Sequence, residues 1–314
     1  MKIVITGALG HIGSRLVCAF ASVQAIDEIV LLDNLLTQRY CSLFNLPATG
    51  QYRFLEADIL TADLARIFQG ATAVVHLAAI TDATNSFHNK EEVHKVNFTG
   101  TERVAHACQQ VDCALIFPST TSVYGSQLNE VDEDCSLSDL KPQSPYAEAK
   151  LKAEQLLQSL RKETGLKFVT CRLGTIFGIS QGMRFHTVIN KFCWQAALGQ
   201  PLTVWETALH QHRPYLDLGD AVEAIKFILK QELYDGRIYN VVTTNATISH
   251  IVNILATFIP DLSVKKVTNQ IMNQLSYHVS NRRFQNLGFE FKGDLTGGIG
   301  ETIDLLKATR QKSS

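Results

Sequence analysis

The chain has 314 residues, of which 46% are hydrophobic and 19% are charged, values that exclude the disordered and fibrous classes of protein. Its 29 Lys and Arg residues are balanced by 30 Asp and Glu residues, so there is no excess of positive charge to bind the phosphates of a nucleic acid. A chain of this length predicts roughly two domains and a sizeable core.

The apolar segments are too short to cross a membrane. The runs Ile29 to Leu32 and Leu77 to Ile80 fall far short of the roughly 20 apolar residues that span a bilayer. A predicted strand begins at Lys2 and meets a Gly-rich turn at once, which leaves no room for the apolar core of a secretory signal. We therefore expect a cytoplasmic protein with no membrane partner.

The cysteines and histidines show no metal-binding pattern. The seven cysteines include no Cys-x-x-Cys pair, and the ten histidines include no His-x3-His pair. We expect reduced thiols and no bound metal.

Six short segments rich in β-branched residues alternate with helical stretches in the first half of the chain. This alternation predicts an α/β fold with a doubly wound parallel sheet of the Rossmann type, in which the strands are buried on both faces. The predicted strands are Lys2–Thr6, Glu28–Asp33, Tyr52–Ala57, Ala73–Leu77, Ala114–Pro118 and Lys167–Arg172.

The alternation ends near Gly174. Mixed segments follow at 185–198, 221–230 and 248–258, with loop signals between them and no flexible linker. We predict a sheet domain over residues 1–174 and a smaller mixed α/β lobe over residues 175–314, with some of its chain returning to the sheet and a cleft between the two.

A Gly-rich turn follows the first strand. Gly7, Gly10 and Gly13, with His11 and Ile12 between them, are placed where a dinucleotide-binding turn opens a helix whose free N–H groups bind pyrophosphate. The spacing is G-x2-G-x2-G and not G-x-G-x-x-G, so simple turn chemistry remains an alternative.

Two acidic residues end the next two strands. Asp33 lies 20 residues after Gly13, where a carboxylate binds the adenosine ribose hydroxyls and repels the 2′-phosphate of NADP. This position favours NAD as the cofactor. Asp58 ends the third predicted strand, where it could accept a hydrogen bond from the adenine amino group, and helix capping explains it equally well.

Tyr146 and Lys150 lie four residues apart and therefore share one face of a predicted helix. A nearby ammonium lowers the pKa of a phenol, which makes Tyr146 usable as a base. A hydroxyl cluster, Ser119 to Ser122, follows the fifth strand, and the carboxyl ends of parallel strands are where ligands bind in such sheets.

Together these motifs resemble the nucleotide-sugar epimerase/dehydratase family of extended short-chain dehydrogenases/reductases, and the chain is most similar to its UDP-glucose 4-epimerases. The resemblance covers nearly the whole chain and implies NAD as the cofactor and Thr120, Tyr146 and Lys150 as the catalytic residues. It implies NAD contacts at Gly7, Gly10, His11, Ile12, Gly13, Asp33, Asn34, Asp58, Ile59, Leu77, Ala78, Ala79, Asn97, Tyr146 and Lys150.

The resemblance also separates reaction types. Dehydratases of the family carry Asp-Glu after the catalytic Thr, and decarboxylases carry a Glu in this stretch, whereas this chain has Thr121-Ser122. We therefore expect a nucleotide-sugar 4-epimerase that works through a transient 4-keto sugar. A reductase of 4-keto-6-deoxy nucleotide sugars is the alternative enzyme, and a noncatalytic dinucleotide-sensing protein is the alternative of another class.

The second lobe resembles the part of the family that binds the nucleotide sugar. Guanidinium groups suit the diphosphate because they bind two oxygens at once. The resemblance implies substrate contacts at Thr81, Thr120, Thr175, Arg184, Asn190, Val204 and Arg213.

Three departures from the family pattern affect the substrate. Thr175 replaces the usual Asn, residues 206–211 replace a Gly-Asp-Gly turn, and the second diphosphate Arg has no match around Asn273-Gln274. The nucleotide and the sugar are therefore left open.

The family commonly dimerises through two long helices beside the active site. We expect these helices near Glu91 to Gln109 and Tyr146 to Leu160, which predicts a homodimer with a four-helix interface.

Overall fold

The structure, a computed structural model, describes residues 1–127, 130–268 and 276–307. Its strands are β1 (Lys2–Thr6), β2 (Glu28–Asp33), β3 (Tyr52–Glu56), β4 (Ala73–His76), β5 (Ala114–Thr120), β6 (Glu130–Val131), β7 (Phe168–Leu173), β8 (Thr175–Phe177), β9 (Leu202–Trp205), β10 (His212–Asp217), β11 (Asp235–Val241), β12 (Thr244–Thr247), β13 (Val264–Val267) and β14 (His278–Val279). Its helices are α1 (His11–Phe20), α2 (Leu64–Phe68), α3 (Lys90–His94), α4 (Gly100–Gln110), α5 (Pro145–Thr164), α6 (Val188–Ala197), α7 (Leu218–Gln231), α8 (Ile248–Phe258), α9 (Arg282–Gln285) and α10 (Leu295–Lys307).

A seven-stranded sheet forms the centre of the molecule. Its strand order is β11-β7-β5-β4-β1-β2-β3, and all of its pairings are parallel. The chain therefore moves outward from β1 in both directions, which opens a crevice at the carboxyl ends of β1 and β4. The predicted α/β class and the doubly wound sheet are confirmed.

The sheet is covered on both faces, as its nearly continuous apolar strands require. Alternate residues of β1 point to opposite sides, so Ile3 and Ile5 join a core with α1 and α7, whereas Val4 joins a core with α4 and α5. The central strands β4 and β5 are buried along their whole length, whereas β3, at the edge of the sheet, is partly exposed.

The remaining strands form smaller sheets. β10 pairs with β12 in antiparallel fashion and with β8 in parallel, while β9 pairs with β13 and β6 with β14. A separate hydrophobic cluster, which includes Phe177, Phe192, Tyr215 and Ile299, takes residues from β8, β9, β10 and β12, whereas β6 and β14 contribute to another cluster. The second half of the chain thus has its own core beside the large sheet.

The predicted strands agree with the observed strands to within two residues at each end. Ala57, Leu77 and Lys167 lie just outside the observed strands, and β5 continues through Ser119 to Thr120. The strand that returns from the second half is β11, which pairs with β7 at the edge of the sheet. The boundary near residue 174 stays a prediction.

The expected dimer helices are present in part. α5 covers its predicted range, but the predicted helix from Glu91 to Gln109 is interrupted by a π-helical turn at Lys95–Thr99, between α3 and α4.

None of the helices in the described residues is long and apolar enough to cross a bilayer. Within 1–127, 130–268 and 276–307, no three His, Cys, Asp or Glu side chains are grouped so that they could hold a metal ion.

Candidate active site

The Gly-rich turn joins β1 to α1 and lies against the loop after β4. Gly7 has φ +66°, and a Cβ there would lie 2.6 Å from the nitrogen of Ala78. A Cβ at Gly13 would lie 2.5 Å from the carbonyl oxygen of Ala8, so both positions require glycine. The N-terminus of α1 has no side-chain cap, which leaves its N–H groups available to an anion.

The carboxylate of Asp33 lies beside this turn at the end of β2. It accepts hydrogen bonds from the backbone N–H groups of Leu9 at 3.0 Å and Leu35 at 2.9 Å. Asn34 donates to the Asp58 carboxylate at 3.1 Å, so the ends of β2 and β3 are linked. Asp33 and Asp58 thus line the same side of the crevice.

The loop after β4 is held by buried polar groups. Thr6 bonds to His76 Nδ1 at 2.8 Å, and His76 Nε2 bonds to Thr101 at 3.1 Å. Burial lowers the pKa of His76 to about 3, which keeps its ring neutral, so one ring nitrogen donates and the other accepts. Leu77, Ala78 and Ala79 follow, partly exposed toward the Gly-rich turn.

Asn97 and Ile59 lie on the far side of this loop. Asn97 is fully buried in the π-helical turn and bonds to the backbone of Ile80. Ile59 is 4% exposed, and its Cδ1 lies 2.6 Å from where a Cβ of Gly100 would be. Asn97 therefore holds the loop after β4, and Ile59 packs against the start of α4.

Tyr146 and Lys150 lie in the first two turns of α5, and the residues before them set where this helix begins. Ser144 caps the helix by accepting from the backbone N–H of Ala147 at 3.2 Å, and Pro145 occupies the first turn. Lys150 is 3% exposed and donates to the carbonyl of Pro118 at 2.8 Å, which places its ammonium at the end of β5.

Thr120 and Tyr146 meet at the same edge of the sheet. Burial raises the pKa of the Tyr146 phenol, and the nearby Arg184 guanidinium and a hydrogen bond with the Thr120 hydroxyl oppose this rise. Burial also lowers the pKa of Lys150 to about 8, against the charge of Glu154. The structure therefore brings together the three residues predicted to be catalytic.

Hydroxyl groups continue from Thr120 into the next turn. Thr121 donates to the carbonyl of Leu173 at 3.3 Å and lies 3.4 Å from the hydroxyl of Tyr277. The 3-10 helix from Thr121 to Tyr124 contains no carboxylate. Thr175, which begins β8, pairs in register with Tyr215 of β10 and is partly exposed.

Arg184 reaches the active site from the second half of the chain. Its guanidinium donates to the hydroxyl of Thr81, and its charge acts on Tyr146. Asn190 is fully buried and donates to the carbonyl of Arg184 at 3.1 Å and to His11 Nε2 at 3.5 Å. The structure therefore gives the side chain of Asn190 the role of holding the Arg184 segment against the Gly-rich turn.

Val204 and Arg213 lie on different small sheets. The Val204 side chain is 2% exposed and belongs to the core of the second half, so a ligand would meet only its main chain. Arg213 lies in β10 opposite Ala246 and near Tyr277. The stretch around Asn273-Gln274, in which the second diphosphate Arg of the family has no match, falls outside the described residues.

One buried ion pair lies behind the residues predicted to be catalytic, and the sequence did not predict it. Arg172 binds Glu154 through Nη2 at 2.7 Å, and the hydroxyl of Ser119 donates to the same carboxylate. Its signal in the sequence is the spacing of Glu154, four residues after Lys150 and eight after Tyr146.

These residues fit a dinucleotide and a second, sugar-bearing ligand. The Gly-rich turn offers a cradle that a Cβ would fill, Asp33 lies where ribose hydroxyls bind, and Tyr146 lies beyond them at the end of β5. The arrangement suits proton transfer at a hydroxyl placed between Thr120, Tyr146 and the cofactor.

Comparison with known proteins agrees with this geometry. Residues 3–241 match the model of the NAD dependent epimerase/dehydratase family. The chain is 30% identical over 291 residues to an uncharacterized UDP-glucose epimerase from Bacillus subtilis, covering 90% of this chain and 88% of that protein.

A plant enzyme and a solved structure are also similar. The chain is 31% identical to a trifunctional UDP-glucose 4,6-dehydratase, 3,5-epimerase and UDP-4-keto-L-rhamnose reductase from Arabidopsis thaliana, covering 96% of this chain but 47% of the plant enzyme. A mutant UDP-glucuronic acid 4-epimerase from Bacillus cereus, solved with UDP-4-deoxy-4-fluoro-glucuronic acid and NAD, superimposes with a TM-score of 0.90 at 25% identity, covering 98% of this chain and 100% of that one.

Proposed function

Because the chain belongs to the NAD-dependent epimerase/dehydratase family, we propose that it is a nucleotide-sugar 4-epimerase that works through a transient 4-keto sugar. The observation that carries this proposal is the grouping of Thr120, Tyr146 and Lys150 at the end of β5, next to a turn without a carboxylate. As an NAD-dependent epimerase, the protein completes its cycle with no net oxidation or reduction.

The chain's own residues move the proton. The Tyr146 phenolate removes the proton of the sugar 4-hydroxyl, and Thr120 holds that hydroxyl through a hydrogen bond. The charge of Lys150 favours the phenolate. Bound NAD, which the turn at Gly7 and Gly13 and the carboxylate of Asp33 would hold, would supply the hydride chemistry at C4.

The turn after Thr120 favours epimerisation over dehydration. Loss of water across C5 and C6 requires an acid and a base near those carbons, and Thr121 and Ser122 supply only hydroxyl groups. Thr121 is buried and bound to the Leu173 carbonyl, whereas Ser122 is partly exposed and suits hydrogen bonding to the sugar while the ring turns over between its two faces.

A UDP-sugar is the substrate class that the relatives favour. The Bacillus subtilis relative is a UDP-glucose epimerase by name, and the Bacillus cereus structure contains a UDP-sugar. We propose that Arg184, Arg213, Thr81 and Thr175 contact the substrate, that residues 175–314 form most of its binding lobe, and that the main chain at Val204 lines the nucleobase.

The proposal includes the assembly and the location of the enzyme. α4 and α5 pack against each other beside the site, and two copies of this pair would form a four-helix dimer interface. We propose a cytoplasmic homodimer.

Proton NMR of the purified protein with UDP-, GDP-, dTDP- and CDP-hexoses, without added cofactor, tests the reaction. Interconversion of two anomeric signals, with no accumulation of NADH, supports the epimerase and identifies the nucleotide. Turnover only with NAD(P)H and a 4-keto sugar would instead support the reductase that the plant relative's name includes. Binding of NAD with no turnover in either assay would favour a noncatalytic protein.

A further inference from the structure

Glu154 lies on the face of α5 that carries Tyr146 and Lys150, one turn beyond Lys150. The side chains of Glu154 and Arg172 are each 3% exposed. Arg172 donates to both carboxylate oxygens, through Nε to Oε1 at 3.1 Å and through Nη2 to Oε2 at 2.7 Å. Ser119 donates to Oε1 at 2.5 Å, so the carboxylate is fixed from two strands of the sheet.

A buried ion pair is a poor way to stabilise a fold, because removing both charges from water offsets most of their attraction. Two well-packed apolar side chains would serve as well at the contact between α5 and β7. The position of Glu154, adjacent to Lys150 on the helix and to Ser119 before the catalytic Thr120, therefore calls for an explanation other than stability.

The surroundings of Lys150 are otherwise poor in negative charge. Its ammonium bonds to a neutral carbonyl, that of Pro118, and lies 4.6 Å from the centre of the Phe117 ring. His76, from β4, is neutral because its pKa is lowered to about 3. Burial alone disfavours the charged form of Lys150, and the carboxylate of Glu154 opposes this effect.

The other titratable groups around this site do not replace that carboxylate. Burial raises the pKa of both Tyr146 and Tyr124, so these phenols are neutral in the absence of ligand. Arg172 adds a second buried cation, whose guanidinium lies 4.8 Å from the centre of the Tyr124 ring. Without Glu154, two cations would share this pocket with no counterion among these neighbours.

We propose that Glu154 is a positioning residue that keeps Lys150 in its charged form behind Tyr146, and that Ser119 and Arg172 hold the carboxylate in place for this purpose. The residue touches neither substrate nor cofactor and acts through Lys150. Its effect on turnover rests on the proposed function, but its effect on the charge of Lys150 does not.

The charge of Lys150 is measured directly by NMR titration of the side-chain nitrogens in NAD-bound protein labelled with 15N-lysine, with the signal assigned by Lys150→Arg. Glu154→Gln is expected to lower the pKa of Lys150 by about one pH unit or more, the usual effect of losing a close opposite charge. Glu148→Gln, an exposed change on the same helix, should leave the titration unchanged. An unchanged Lys150 pKa in folded Glu154→Gln protein would overturn the proposal.

Two further variants separate this role from packing and cover the case in which Glu154→Gln does not fold. Arg172→Met removes the second buried cation and leaves the Glu154 carboxylate, still bound by Ser119, to interact with Lys150, so the pKa of Lys150 should rise. Because unfolding would also expose Lys150 and raise its pKa, the titration is read only from protein whose amide NMR spectrum shows the native fold. Glu154→Asp keeps the charge and should restore most of the wild-type titration. A fall in the pKa of Lys150 in Arg172→Met would contradict the proposal.

The catalytic consequence is read from the pH profile of kcat/KM. Activity requires charged Lys150, so the alkaline limb should move to lower pH in Glu154→Gln by the same interval as the NMR titration. If no nucleotide sugar is turned over but the NMR titration moves as expected, the proposed function fails and the role of Glu154 stands. If turnover is present but neither measurement moves, the role of Glu154 fails alone.

Discussion

Asn97 uses both polar ends of its side-chain amide to bind the backbone of a single residue, Ile80. Oδ1 accepts from the Ile80 N–H and Nδ2 donates to the Ile80 carbonyl, each at 2.8 Å. The π-helical turn at Lys95–Thr99 places this side chain beneath the loop that leads from β4 to Thr81. One buried amide therefore fixes the segment between Ala78, a predicted NAD contact, and Thr81, a predicted substrate contact.

Asn97→Ala should destabilise the protein by about 1–3 kcal/mol, because the Ile80 N–H and carbonyl lose their partners. NAD binding should weaken as well, since the loop after β4 is no longer held. Urea unfolding and NAD titration measure the two effects, with Asn253→Ala, an exposed change on α8, as the control. Unfolding curves and NAD affinity identical to those of the control would show that Asn97 does not hold this loop.

Gly7→Ala should abolish NAD binding and destabilise the fold. The new methyl group would lie 2.6 Å from the Ala78 nitrogen, and φ +66° disfavours any L-residue. Gly70→Ala is a matched control, because Gly70 has φ +72° but no neighbouring atom within 4 Å of the place that a new methyl group would take. We expect Gly70→Ala to cost about 1–2 kcal/mol and to bind NAD normally. Equal losses in the two variants would mean that backbone strain, and not close packing, explains the glycine.

Stability should fall as the pH drops below 6.5. Burial lowers the pKa of His11 and His76 from 6.5 to about 3 and that of His186 to about 4, so the unfolded chain takes up protons between pH 7 and pH 5 and the folded protein does not. Each histidine should reduce the free energy of unfolding by about 2 kcal/mol between pH 7 and pH 5.

Urea unfolding at the two pH values tests this dependence. His76→Gln removes one of the three groups and should weaken the pH dependence by roughly a third. His88→Gln, at an exposed position, should leave it unchanged. A pH dependence that is the same in all three proteins would show that His76 does not carry this proton linkage.

Asp33→Ser should shift the cofactor preference toward NADP. The carboxylate that repels a 2′-phosphate is removed, while the serine hydroxyl can still accept from one of the two backbone N–H groups that bind Asp33. The guanidinium of Arg39 lies near Asp33 and would remain to attract the phosphate. We expect the ratio of the NADP and NAD dissociation constants to fall about tenfold or more, which corresponds to about 1.4 kcal/mol. Fluorescence titration measures it, with Asp261→Ser as the control, and an unchanged ratio would rule out charge repulsion by Asp33.

Tyr146→Phe should reduce kcat by about 10²–10⁴ and leave NAD binding intact, because only the hydroxyl that transfers the proton is lost. Tyr234→Phe is the matched control, since its buried hydroxyl lies away from the site and has no hydrogen-bond partner in the described part of the chain. Full activity of Tyr146→Phe on an identified substrate would remove Tyr146 from the mechanism.

The sheet was predictable because its strands are short apolar runs whose burial on two faces is visible in the sequence. β11 is different, because it begins with Asp235 and Gly236 and is stabilised by pairing with β7, which is distant in sequence. Thr120, Tyr146 and Lys150 were predictable as a group, because one strand end and one helix turn carry them.

The buried pair of Glu154 and Arg172 was not predictable in the same way. The two residues lie 18 positions apart, on a helix and a strand that only the packed fold brings together. Each charged side chain would suit a solvent-exposed face as well. Val204 was predicted to contact the substrate, but the alternation of β9 turns its side chain into the core. The side chains of Thr203 and Trp205 point outward instead.

The most direct test of the proposed reaction follows deuterium from C4 of the substrate. A nucleotide sugar labelled with deuterium at C4 is incubated with the NAD-loaded protein in light water, and both epimers are analysed by NMR and mass spectrometry. An epimerase that returns the same hydride to the opposite face of C4 retains the label in both epimers and releases none to the solvent or to free NADH. Loss of the label to the solvent, or epimerisation at another carbon with C4 untouched, would contradict the 4-keto mechanism.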